Sequence, residues 1–454
     1  MKKLIGTAML AALLATSAFA ELNMGAWVRT MVAPVAGDGD NIISGWANSW
    51  GYGIRNARIS FNWTSDDEKV GMMYDIFGDG ASGFGSGDYR AAWFKPADWV
   101  KFMVGHIDNG YTMRGDLCFG SWNWMRPNNW LFDDEGLTFN LGNADALQVE
   151  FFPVEGLQIL GRFAMPADGG FQDSYKMFEQ STFAVGYTIG SVGTIKAAWN
   201  GKGTREYKNK GHDAGYGVVV GDNAYYYASK KDVQEAVWAL QEKGGPASGS
   251  DDKKLLDALY YNGKIKDSVV SKENYFDAVD PSGERKYWGD IQAAFDLTAV
   301  ENLYITVGVK VSIAESDYKD LVEDFAFLKA ALGVSYQILD NLRIAANFGV
   351  QTYEVADPSF QFGVGVDVGL TDSLTLSADF RGLIPGDGAG LTNADDPAFS
   401  FLVGLDWGFS GNGQLGIGFQ GSTNGYGILA GSGYIAPADD SFSWAVPLKF
   451  SYWF

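Results

Sequence analysis

The chain carries few residues suited to covalent or acid–base chemistry. His106 and His212 are its two histidines and Cys118 its one cysteine. A nucleophile needs a base beside it. His106 falls near the end of an alternating run, on the parity of its apolar residues, and His212 falls in a long charged insertion. Neither placement suits a base, which leaves an all-carboxylate site as the enzymatic alternative. The glycine fingerprints of phosphate and dinucleotide sites are absent. Gly37-Asp38-Gly39-Asp40-Asn41 offers oxygen ligands, but it lacks the full spacing of a calcium loop and reads better as a solvated turn. No enzyme activity, cofactor or metal is expected, and a lone cysteine allows no disulfide within the chain.

The chemistry these residue types do allow is electrostatic. Arg58, Arg90, Lys101, Arg162, Lys196, Arg343 and Arg381 occupy the polar parity of alternating runs. Asp116, Asp133, Asp134 and Glu135 gather in a segment, residues 108–145, that holds only Arg114 and Arg126 in return. A basic wall facing an acidic loop would set a transverse field across a narrow aqueous passage, orienting dipolar solutes and ranking ions. Acidic residues share the wall parity, among them Asp75, Glu150, Asp290, Asp296, Asp367 and Asp406, so mutual pairing within the wall is the alternative. Trp122, Trp124, Trp130 and Phe132 favour folding the acidic segment inward, where aromatic rings are buried, over laying it outside.

Such an arrangement requires strands. Leu303, Ile305, Val307, Val309, Val311 and Ile313 alternate with Tyr304, Thr306, Gly308, Lys310 and Ser312, a period of two. The same alternation runs through 326–338, 342–350, 360–370, 374–380, 399–409 and 415–419, and ends in Phe442, Trp444, Val446, Leu448, Phe450, Tyr452 and Phe454. Runs of ~9–13 residues suit tilted strands crossing hydrocarbon. Tight connections such as Lys95-Pro96-Ala97-Asp98 and Thr371-Asp372-Ser373 alternate with longer ones. About eight tight turns and about nine loops, with both termini on the tight-turn side, predict about eighteen strands, with roughly sixteen as the alternative count. Trp63, Trp93, Trp199, Trp407, Trp444 and Tyr452 are expected in interfacial girdles. The expected fold is therefore all-β, a transmembrane antiparallel up-and-down barrel. A soluble sandwich would also alternate, but strand length and the aromatic placement disfavour it.

Composition agrees. The chain is 46% hydrophobic and 15% aromatic with 59 glycines, too apolar for disorder. Residues 1–20 read as a signal peptide: Lys2 and Lys3, an apolar stretch from Leu4 to Leu14, then Ala18-Phe19-Ala20 as the cleavage site. Removing them leaves residues 21–454 with 32 basic against 55 acidic residues, a formal charge of −23 in place of −21, which excludes a nucleic-acid partner. Residues 201–286 break the strand rhythm with 14 basic and 14 acidic residues. A helix start at Ser229-Lys230-Lys231-Asp232, with Val233, Val237 and Leu240 at helical spacing and Leu255 with Leu259 beyond, predicts a long external loop with a small helical cap.

Phe450, Tyr452 and the final Phe454 alternate with Lys449, Ser451 and Trp453. This resembles the terminal strand by which Gram-negative outer-membrane proteins are recognised by the barrel assembly machinery. Tyr89 to Tyr111, with Lys95-Pro96-Ala97-Asp98 as its turn, resembles the strand–turn–strand leading into the constriction loop of porins. The resemblance, at the level of the class, implies an outer-membrane location, contact with lipid, a water-filled channel for passive diffusion of small hydrophilic solutes and ions, and a homotrimer. The alternative is a surface adhesin or structural barrel with a plugged lumen.

Overall fold

The computed structural model describes residues 20–38, 41–48, 55–79, 84–107, 131–132, 137–165, 178–202, 205–206, 215–220, 223–227, 230–242, 250–261, 264–266, 271–272, 284–285, 287–315, 325–389, 391, 396–423 and 442–454. The first strands are β1 (Ala20–Asp38), β2 (Asn41–Asn48), β3 (Arg55–Ser65), β4 (Val70–Asp79) and β5 (Phe84–Ala97). β6 (Val100–Ile107), β7 (Ala144–Phe151), β8 (Leu157–Ala164), β9 (Thr182–Ile189) and β10 (Gly193–Gly201) follow. An inserted unit holds β11 (Arg205–Glu206), β12 (Gly215–Val220), β13 (Asn223–Tyr227), α1 (Lys230–Glu242), α2 (Asp251–Leu259), β14 (Tyr260–Tyr261), β15 (Lys264–Ile265), β16 (Ser271–Lys272) and β17 (Glu284–Arg285). The chain then resumes with β18 (Tyr287–Leu297), β19 (Leu303–Ala314), β20 (Ala326–Leu339), β21 (Leu342–Tyr353) and β22 (Ser359–Thr371). It ends with β23 (Leu374–Ile384), β24 (Ala398–Ser410), β25 (Gly413–Ser422) and β26 (Ser443–Trp453).

β1 to β10 and β18 to β26 form one antiparallel sheet that closes on itself, an eighteen-position barrel. Nineteen strands fill eighteen positions because β2 and β3 share one. The upper half of β1, Thr30 to Asp38, pairs with β2, and its lower half, Ala20 to Val28, pairs with β3. The seam lies between β1 and β26, from Trp27 opposite Trp453 to Asp38 opposite Ser443. Beyond it, Phe454 exchanges backbone hydrogen bonds with Ala26 at 2.7 and 2.9 Å. Pro34 and Pro96, which cannot donate to a ladder, fall where the register shifts in β1 and β5. In the tight turn after β3, the Ser65 hydroxyl donates to Asp67 at 2.7 Å. That bond, with the Lys69 amide, holds the Asp67 carboxyl below its usual range.

The alternation sorts the wall into two faces. Ile344, Phe348, Phe362, Val364, Val403, Leu405, Trp407, Ile417 and Phe419 are exposed on the outside. Thr306, Ser335, Asn347, Gln361, Ser377, Ser400 and Gln420 lie between them on the inside. A closed barrel with an apolar outer face is the solution for strands in hydrocarbon, because no backbone edge remains unpaired. No described helix is long and apolar enough to cross a membrane. The fold is that of an outer-membrane barrel. Outward aromatics lie over glycines of neighbouring strands: Trp444 over Gly37, Phe362 over Gly382, Phe409 over Gly413. A Cβ at any of these glycines would overlap the ring.

Residues 204–286 form a second compact unit. The helical spacing marks α1 and α2 correctly, and Ser250 caps α2 by accepting from the Lys253 amide. The spacing gave no sign of the three-stranded sheet β13-β12-β16, whose Tyr216, Val218, Val220, Tyr225 and Tyr227 pack on Val233, Val237, Leu255 and Leu259. The unit thus has a core of its own, beyond the small local cap expected from its helices.

On the barrel side, both chain ends of this unit are closed off. Gly201 pairs with Gly289, and the Lys202 amide donates to the Trp288 carbonyl at 3.0 Å. Because the cost of a loop grows only slowly with its length, the barrel should not need the insertion. Deleting residues 204–286 and joining the ends with a short Gly/Ser linker should leave heat-modifiable gel migration, the mark of a folded barrel, unchanged. Loss of that migration would show that the barrel needs the inserted unit.

Candidate functional site

The inner wall is built from charge pairs that link its strands. Arg58 on β3 meets Asp75 on β4 at 3.1 Å and also donates to Ser60. Lys196 on β10 meets Asp296 on β18 at 2.6 Å, and Lys449 on β26 meets Asp406 on β24 at 2.6 Å. Asp290 on β18 is fully buried and faces Lys310 at 3.2 Å and Lys202 at 3.9 Å. Lys101 stands opposite Glu150 with its ammonium over the Trp93 ring, and Arg343 stands opposite Asp367 and donates to Ser335. Buried carboxylates of this kind are stable only when paired, and the alternating register brings a cation to each of these.

A second layer lies inside this wall. The segment between β6 and β7 is described at Leu131–Phe132 and from Leu137 onward, and both stretches pack within the barrel. Leu131 packs with Leu383 and Ala398, and Leu137 packs with Ala331 and Ala345. Phe139 and Leu141 cluster with Leu160, Ala184, Ala198 and Ala294. Two backbone positions are held at both polar groups. The Leu131 amide donates to Gln361 at 2.8 Å, while its carbonyl accepts from Lys329 at 3.2 Å. The Asn140 amide donates to Gln292 at 2.7 Å, and its carbonyl accepts from the same side chain at 2.9 Å. Arg162 donates to the Gly142 carbonyl at 2.6 Å and the Leu141 carbonyl at 3.3 Å, steadied by Gln148 at 2.8 Å. Glycines in the wall give the segment room. A Cβ at Gly349 would overlap the Phe132 ring, and one at Gly308 would overlap the Thr138 hydroxyl.

Of the basic residues singled out from sequence, Arg58, Lys101, Arg162, Lys196, Arg343 and Arg381 stand on inward rows. Arg162, Lys196 and Arg381 are at most 2% exposed, so they face packed neighbours and not open space. Arg90 is a correction. It shares a cross-strand row with the exposed Tyr74, with His106 and with Asp145, the parity of outward Ala92 and Phe94. Its guanidinium lies 3.8 Å from Asp145, which also contacts His106 at 3.2 Å. The cause is Trp93. Its ring was expected in the outer girdle but lies inside, over Gly71 and near Lys101, and that reverses the parity of β5. Asp116, Asp133, Asp134 and Glu135 lie outside the described residues. The residues that sequence reasoning missed are Gln148, Gln292 and Gln361. Their only signal was a long amide side chain at inward parity in three separate strands.

No family model matches the chain, and no curated protein matches it. Several solved structures are similar to it. The anion-selective porin from Comamonas acidovorans is 10% identical with a TM-score of 0.48, over 96% of this chain and 100% of that one. The outer membrane channel DcaP of Acinetobacter baumannii is 11% identical with a TM-score of 0.45, over 96% and 98%. OmpT of Vibrio cholerae is 9% identical with a TM-score of 0.42, over 96% and 98%.

Gln292 provides the direct check on the second layer. Gln292→Leu keeps the volume but orphans both backbone groups of Asn140, at about 1–3 kcal/mol for each group left unsatisfied. The barrel should still show heat-modifiable migration, while proteolysis within residues 108–143 of the folded protein should become markedly faster. Cleavage at the native rate would mean that this anchor does not hold the segment.

Proposed function

We propose that the chain is a water-filled channel for passive diffusion of small hydrophilic solutes and ions across an outer membrane. One observation carries the reading: a segment fastened inside the barrel at Leu131, Asn140 and Gly142 narrows a lumen walled by charged pairs. Barrels of about sixteen to eighteen strands are wide enough to leave an aqueous channel, and an infolded loop turns a wide hole into a selective one. Arg58 and Arg343, the partly exposed members of the basic set, are the proposed wall of the path. Lys101, Arg162, Lys196 and Arg381 support that wall and the segment from behind. Asp133, Asp134 and Glu135 are the proposed opposing face, because Phe132 and Leu137 on either side of them are both fixed to the inner wall. Asp116 belongs to the same acidic face.

The same proposal covers export and assembly. Cleavage after Ala20 would free the first strand, and Phe450 and Tyr452 lie on the seam strand with Phe454 just beyond it, where an assembly signal would act last. Residues 201–286 are assigned as an external loop, since their stem lies at the long-loop end of β10 and β18. A homotrimer in lipid is the proposed assembly.

Purified mature protein in a planar bilayer should give discrete conductance steps, and liposomes carrying it should swell in small sugars. A folded barrel silent in both assays would favour the plugged structural barrel. Within the channel reading, Arg58→Gln with Arg343→Gln should move the reversal potential toward cations. Neutralising Asp133, Asp134 and Glu135 to their amides should move it toward anions. Unchanged potentials in both variants would remove these groups from the path.

A further inference from the structure

The apolar outer face of the barrel differs in height from one wall to another. On β22, Phe360, Phe362, Val364, Val366, Val368 and Leu370 point outward, ending beside a tight turn. β24 repeats this from Phe399 to Phe409. The ten residue steps from Phe360 to Leu370 climb about 25 Å at ~3.3 Å per residue and a tilt of about 40°, the full apolar band of such barrels. The wall of β5, β6 and β7 does not reach that height. Phe151, Val149 and Leu147 point outward from the tight turn after β7, and the next outward position is Asp145. Its cross-strand row continues through His106 on β6 to Arg90 on β5. The six steps from Phe151 to Asp145 climb only about 15 Å.

This row is also incompletely paired. The Arg90 guanidinium, 37% exposed, lies 3.8 Å from Asp145, which is 41% exposed, and that is too far for a hydrogen bond. The Arg90 Nε is buried and has no hydrogen-bond partner among the described residues. Asp145 contacts His106 at 3.2 Å. Hydrocarbon supplies neither donor nor acceptor, so a guanidinium and a carboxylate at this height are costly on a face turned to lipid. Around them Tyr74, Phe94, Val104 and Leu147 are exposed. Ala92, next to Arg90 on the same face, leaves room for another backbone to come close.

We propose that the outer face of β5, β6 and β7 is where a second copy of this chain docks, with Arg90 of one copy donating to Asp145 of the next. The two charges stand on β5 and β7, either side of β6, about 9–10 Å apart at ~4.8 Å per strand. A patch with a donor on one flank and an acceptor on the other is complementary to itself. A contact repeated about a symmetry axis then pairs every Arg90 with an Asp145. Protein cover takes the row out of lipid, and the apolar rows below it supply packing area. A lipid phosphate suits the row less well, because Asp145 repels it and the row stops about 10 Å short of the outer headgroups. The proposal rests on the assembly reading above and deepens it by naming the face through which the copies meet.

The test uses full-length mature protein carrying Cys118→Ser. In phosphatidylcholine vesicles with a short bis-maleimide, Val104→Cys should give covalently linked chains. Val403→Cys on β24, exposed to the same 49%, should not. In detergent, light scattering should show an oligomer for the parent and single chains for Arg90→Glu, with heat-modifiable migration confirming that both are folded. Linking at Val403→Cys alone, or equally at both positions, overturns this face while keeping an oligomer. A parent that stays monomeric in both media overturns the face and the assembly reading together. A folded Arg90→Glu that assembles as the parent does overturns the Arg90 contact. A monomeric parent that retains lipid phosphate from membranes, where Arg90→Glu does not, makes the row a lipid site and overturns the docking.

Discussion

Every backbone amide and carbonyl that enters hydrocarbon must find a partner within the protein, and the seam between β1 and β26 is where this chain meets that demand. The pairing from Trp27 to Asp38, extended by the bonds between Ala26 and Phe454, removes the last free edge of the sheet. Closure then dictates the rest. With one face turned to lipid, the residues between the apolar ones are forced inward, so polar and charged side chains become neighbours in a confined space. The ion pairs Arg58–Asp75, Lys196–Asp296 and Lys449–Asp406 answer that crowding. An unpaired charge in the same wall would bear most of its desolvation penalty alone.

Glycine works on both sides of the wall, and for one reason. Outside, Gly37, Gly382 and Gly413 leave floor space for Trp444, Phe362 and Phe409. Inside, Gly308 and Gly349 leave it for Thr138 and Phe132. A strand position without a side chain weakens the strand locally, but here the space is filled by a ring or a loop residue from elsewhere. The barrel is therefore shaped to receive its inner layer. Its glycines record where that layer sits as surely as the hydrogen bonds from Gln292 and Gln361 do.

Much of the fold was legible in the sequence because a period of two is a direct consequence of strand geometry. The run from Leu303 to Ile313 has outward and inward residues as its pattern implies, and the alternation of tight turns with long loops leads to eighteen positions. Legibility failed where size was taken for burial direction. Trp93 is large and apolar, so outward parity looked natural, yet an indole can also stack beneath a lysine inside a polar lumen. One misplaced ring carried Arg90 with it. The inward course of the segment before β7 was suggested by its aromatic residues, but its anchors were not. A glutamine that holds a distant backbone has no local signature, and Asn140 and Gln292 are 152 residues apart. The small sheet of residues 204–286 was missed for a similar reason, since six- and five-residue strands beside two helices give too short a pattern to read.

The division of charge follows from the same geometry. Carboxylates on the wall are largely occupied by the cations beside them, and the deeply buried Arg162, Lys196 and Arg381 serve the structure. What distinguishes one part of the wall from another is whether its cation ties two strands together or holds the infolded segment. Asp290 faces Lys310 at 3.2 Å and Lys202 at 3.9 Å, while the Lys329 ammonium reaches past the wall to the Leu131 carbonyl of the infolded segment. The chain's large overall negative charge does not decide this, because exposed charges more than about 10 Å apart are largely screened by salt while buried pairs are screened much less.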